Sequence, residues 1–70
     1  MKLNYHPDTD SLYDALSPNP SADSSEVAEG VVLDFDADGR LVGIDIDNAS
    51  HKLDLHELTA EHIPMPANAA

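Results

Sequence analysis

Apolar and polar residues alternate through four short stretches of this chain, and a fifth stretch carries a helical period. Residues 2–6 (Lys-Leu-Asn-Tyr-His) put Leu3 and Tyr5 on one side, the two-residue period of a half-buried strand. Pro7-Asp8-Thr9-Asp10 then supplies turn chemistry, because proline presets φ and aspartate bonds its own backbone. Residues 11–17 return as a second strand, with Leu12, Asp14 and Leu16 on one face and Tyr13 and Ala15 on the other. Residues 18–26 hold two prolines, three serines and no large apolar side chain, so a flexible loop is expected over 18–28.

The strongest local signal lies in residues 30–47. Asp38-Gly39 separates two alternating apolar runs, and a two-residue hairpin turn needs positive φ at both central positions. Pairing outward from that tip sets Phe35 against Val42, Leu33 against Ile44 and Val31 against Ile46, all six on one side. A slip of one residue would lose the match. Asp54-Leu-His-Glu57 has capping-box spacing, and Leu55, Leu58 and His62 follow on one helical face until Pro64 and Pro66. The expected fold class is α+β: a four-stranded antiparallel β-meander of two hairpins with a short C-terminal helix. Residues 1–63 form a single domain in this reading, and residues 64–70 a disordered tail.

Composition adds a limit. The chain has 70 residues, and nine of its apolar residues are alanines. A domain this small buries only about 60% of its unfolded surface and is marginal alone. Without cysteine it has no disulfide or thiolate metal site to compensate. A homodimer is therefore expected. Charge adds another limit: 14 acidic residues face 3 basic ones, for a net charge of −11. That excludes a nucleic-acid reader, which needs cations against phosphate. No run approaches the length of a membrane-spanning helix and no secretory leader is visible, so the expected location is cytoplasmic.

Two blocks resemble a known family. Tyr5, Pro7, Asp10, Leu12 and Tyr13 resemble the opening of the domain-of-unknown-function 2283 family of small prokaryotic proteins. Val32-Leu33-Asp34, Asp36, Gly39, Leu41-Val42-Gly43-Ile44, Ile46 and Ala49-Ser50 resemble its most recognisable segment. Departures occur at His6, where the family usually has aspartate, at Asp14, where it usually has a branched apolar residue, and in the long loop after residue 17. The resemblance implies no catalytic residues. It implies, at most, an antitoxin-like companion of a small toxin-like protein.

Candidate chemistry is sparse. Asp34, Asp36, Asp38 and Asp45 match part of a calcium-loop spacing, so divalent-cation binding is one reading. A hairpin extends residues that a calcium loop would coil, and a solvated turn is the simpler reading. Asp34, Asp36, Asp45 and Asp47 would share one sheet face, an acidic stripe suited to a basic partner. His6, His51, His56 and His62 lack the three- or four-residue spacing of helical metal ligands. Ser50 beside His51 reads as a local turn bond rather than a nucleophile. The expectation is a non-enzymatic interaction module without cofactor, pairing with itself and with a basic protein, and binding neither nucleic acid nor membrane.

Overall fold

The computed structural model describes residues 1–64. Among these, the alternating stretches form strands β1 (Lys2–His6), β2 (Ser11–Ala15), β4 (Val31–Phe35) and β5 (Leu41–Ile46). A further strand, β3 (Asp23–Ala28), and one helical turn, α1 (Ala49–Lys52), complete the set. All strands join one antiparallel sheet in the order β1-β2-β5-β4-β3.

Four expectations are corrected. The sheet has five strands rather than four, because part of the 18–28 loop is β3. Its sequence (Asp-Ser-Ser-Glu-Val-Ala) is exposed throughout and has no apolar face to give a period. Backbone bonding to β4 supplies the strand instead, and the charged, serine-rich edge suits a position with no outer neighbour. The sheet is also not a simple meander, since β2 pairs with β5 and the link from Leu16 to Ala22 crosses to the far edge. That link is pinned where Leu16 N–H donates to Val42 O (2.9 Å) and Ala22 N–H to Phe35 O (2.7 Å).

The helix is displaced as well. Residues 54–63 are not helical; the helical turn comes earlier, at 49–52. Asp54 does accept the His56 N–H (3.0 Å), but this closes a local turn only. Two turns of helix without a packed face are not stable in water, and Leu58 is 80% exposed. The expected tail at 64–70 lies outside the described residues beyond Pro64.

The central hairpin keeps most of its expected register: Val31 faces Ile46 and Leu33 faces Ile44. Phe35, however, faces Leu41 rather than Val42, with a bulge on β5. The cause is at the tip. The Asp36 carboxylate accepts the N–H groups of Asp38 and Arg40 (both 2.9 Å). Gly39 N–H donates to Asp36 O (3.0 Å), Gly39 sits at φ 79, and Asp36 N–H donates to Arg40 O (2.8 Å). This is a three-residue loop closed by a left-handed glycine, so one extra residue enters β5.

Burial is thin. Val42 and Ala49 are the buried hydrophobic residues among those described. The fold is one sheet with little laid across it.

Candidate functional site: two faces of one sheet

The polar face is tied together by Tyr13. Its hydroxyl reaches from β2 across β5 and donates to Asp34 Oδ2 on β4 (3.0 Å). Ser24 on β3 donates to the other oxygen, Oδ1 (2.6 Å). Gly43 lies beneath the ring; a Cβ there would stand 2.5 Å from Tyr13 Cζ. The mid-strand glycine is thus the space that the tyrosine fills. Hydrogen bonding to Asp34, then burial and the charges of Asp34 and Asp45, hold the Tyr13 hydroxyl above its usual range. Asp45 also titrates above the usual carboxylate range, through burial and the repulsion of Asp47 and Asp34, which His6 partly offsets.

A second network closes one end of the sheet. Asp10 ends the β1–β2 turn with φ 53, a left-handed geometry that aspartate tolerates better than most residues. Its carboxylate accepts the Tyr5 hydroxyl (2.7 Å), the Ser50 hydroxyl (2.7 Å) and the Ser50 N–H (3.1 Å). Its carbonyl accepts the Ala49 N–H (2.8 Å). Ala49 is fully buried, which leaves no room there for a larger side chain. The Ser50 and Tyr5 hydroxyls, helped by the Ser50 N–H and the His51 charge, hold Asp10 below the usual carboxylate range. Asp36 is held low too, by the Arg40 N–H first and then by Asn19 and the Asp38 N–H.

The aspartates singled out from the sequence therefore separate. Asp36 is 7% exposed and turned into its own loop, with Asn19 on its second oxygen (3.2 Å). Asp38 is exposed at the tip. Asp34 is engaged by Tyr13 and Ser24. The four proposed cation ligands are not brought together, and among the described residues no group of three or more His, Cys, Asp or Glu could hold a metal ion. Of the acidic stripe, Asp34, Asp45 and Asp47 remain electrostatic neighbours, while Asp36 leaves it. Asp47 also accepts a long bond from Ser11 (3.5 Å). Among the described residues the one ion-pair contact is His51 Nδ1 with Asp10 Oδ2 (3.8 Å). Lys52 donates to the Asp47 carbonyl rather than to a carboxylate.

The opposite face is apolar. Leu3, Tyr5, Leu12, Ile44 and Ile46 line a groove of about 660 Å³, bounded on one side by Leu53–Leu58. By strand alternation Val31 and Leu33 extend the same face across β4. Asp14 stands among these side chains, and its Oδ1 is buried with no hydrogen-bond partner. Composition and spacing do not announce this groove, because one wall is the segment expected to be a helix.

Tyr5, Asp10, Tyr13, Asp34, Gly43, Ala49 and Ser50 of these networks are residues of the sequence resemblance, and the match is direct: the model of the family described as protein of unknown function (DUF2283) covers residues 2–50. The chain belongs to this family. No curated protein and no solved structure matches it. In this DUF2283 protein the signature residues have structural work. Tyr5, Asp10, Ala49 and Ser50 join the first turn to α1, and Tyr13, Asp34 and Gly43 tie three strands together. Among the described residues, no helix of the DUF2283 protein is long and apolar enough to cross a membrane.

Proposed function

We propose that this protein is a non-enzymatic interaction module of the prokaryotic cytoplasm that offers its acidic sheet face to a basic protein, in an antitoxin-like role. The observation that carries the reading is the cluster of Asp34, Asp45 and Asp47 on one sheet face, where burial first and then the charges of Asp47 and Asp34 raise Asp45. Like charges at cross-strand range destabilise a sheet unless something relieves them. The chain has only three lysines and arginines to do so. Lysine or arginine side chains from a partner would relieve it, and long-range attraction to a chain of −11 would speed their arrival. The signature residues are committed to holding the fold, which fits a binding scaffold better than an active site.

The test is site-specific photo-crosslinking in the native cell, with the crosslinker at His6, an exposed neighbour of Asp45. The expected result is capture of a protein rich in lysine and arginine, lost when Asp45 and Asp47 are both changed to lysine. Capture of nothing, or capture unaffected by the charge reversal, contradicts the reading.

A further inference from the structure

We propose that the apolar groove binds an amphipathic helix of another protein, one whose apolar face carries a lysine or arginine, and that Asp14 recognises this cation. Asp14 stands in the floor of the groove, where the strand register sets it between Leu3 on β1 and Ile44 on β5. Its Oδ1 is buried with no hydrogen-bond partner. A carboxylate oxygen shut away from water without a donor destabilises the fold, and a cation brought beside the group offsets that loss. The chain does not supply the cation. Its three candidates are Lys2, Arg40 and Lys52, and none of them lines the groove. Strand alternation turns Lys2 to the face opposite Leu3, Arg40 lies in the turn between β4 and β5, and Lys52 donates to the Asp47 carbonyl.

Charge selects the occupant. Every charged residue of the groove is acidic: Asp14 in the floor, with Asp54 and Glu57 on the bounding segment. A second copy would bring Asp14 toward Asp14 and −11 toward −11. A cationic partner is complementary to all three carboxylates. Size agrees with a helix. About 660 Å³ takes a few large side chains, the anchors that one helix presents at i, i+3, i+4 and i+7, rather than a whole second sheet. A helix laid on the open side of the sheet also supplies the layer that the single sheet lacks.

The groove is separate from the acidic face. Asp45 lies between Ile44 and Ile46 on β5, so alternation points it to the other side of the sheet. The proposal therefore stands or falls independently of the reading built on Asp34, Asp45 and Asp47. It also gives Asp14 a double effect. Asp14→Leu enlarges the apolar surface and removes the group that meets the cation, so it must favour a purely apolar helix over one that carries a lysine.

The probes are synthetic helical peptides of about five turns, with leucine on the inner face and alanine and glutamine on the outer. In a companion series each inner leucine in turn is replaced with lysine. Fluorescence anisotropy measures their binding to the full chain, and amide NMR shifts of the labelled chain locate it. One lysine position is expected to bind the native chain about tenfold more tightly than the all-leucine peptide, with shifts at Leu12, Asp14 and Ile44. Asp14→Leu is expected to reverse that order with an unchanged circular dichroism spectrum, since Asp14 Oδ1 has no hydrogen bond to lose. Changing Asp45 and Asp47 together to asparagine is expected to leave both affinities unchanged. No gain at any lysine position, the same order in Asp14→Leu, shifts centred on Asp45 and Asp47, or no binding because a second copy or the chain's own residues fill the groove would each overturn the proposal.

Discussion

The two faces of the sheet differ in completeness. On the polar face, side chains find partners within the chain: Tyr13 and Ser24 share the Asp34 carboxylate, and Gly43 leaves the space that the tyrosine occupies. On the apolar face, large side chains remain open to solvent and an Asp14 oxygen has no partner. Polar bonds between strands and at the turn can therefore be satisfied by one layer, whereas apolar burial needs a second. Of the residues that mark the family, Tyr13, Asp34 and Gly43 belong to the polar face and Tyr5, Asp10, Ala49 and Ser50 to the Asp10 clamp at its end, while Leu12, Leu33, Ile44 and Ile46 lie on the apolar face.

The comparison can be broken most severely at Gly43. Gly43→Val would drive the Tyr13 ring off β5 and end its bond to Asp34. The expected loss is about 3 kcal/mol, from overpacking plus one hydrogen bond. Chemical denaturation measures it, and the same substitution in a Tyr13→Ala background is expected to cost much less.

The Asp10 clamp comes next. Ser50→Ala removes one hydroxyl bond and is expected to cost about 1 kcal/mol. Asp10→Ala should cost more, because it frees the Tyr5 and Ser50 hydroxyls and the Ser50 N–H together. Combining Asp10→Ala with Ser50→Ala should add little to Asp10→Ala alone, the non-additivity expected within one network.

A pH titration of thermal stability separates the favourable from the unfavourable carboxylates. Asp10 and Asp36 have folded pKa values below their unfolded ones. Their contribution is present above the unfolded value and is lost as pH falls through the folded value. Asp45 is shifted the other way, so its contribution is present below the unfolded value and is lost as pH rises through the folded one. Acid loss of stability should therefore be weaker in Asp10→Asn and Asp36→Asn than in the native chain. The smallest effect is at Asp45 itself. Asp45→Asn should raise the neutral-pH melting temperature by about 1–2 °C at low salt and by less at high salt.

Much of the fold is legible in the sequence where side chains alternate. Leu3 and Tyr5, Leu33 against Ile44, and Val31 against Ile46 are all placed by period and turn. The β3 strand is not legible, because its residues are polar on both sides and only the backbone of β4 makes them a strand. Pairing of β2 with β5 is equally hidden, since it depends on contacts some thirty residues apart. Asp10 reads as a turn residue from its neighbours, but its bonds to Ser50, forty positions away, need the assembled fold. Asp36 reads as one of a surface stripe, and the loop that turns it inward is set by its own side chain accepting two backbone donors. The acidic face was partly visible at Asp34, Asp45 and Asp47; the apolar groove was not, because residues 53–58 run non-helically beside it.

The most direct test of the unfinished apolar face is the melting temperature of the native chain with increasing amounts of the lysine-bearing helical peptide. If a cationic amphipathic helix supplies the missing layer, unfolding is coupled to its dissociation and the midpoint rises steadily with peptide concentration. The rise should be smaller in Asp14→Leu. A midpoint that stays constant over the whole range would show that one chain is complete by itself and would contradict the account.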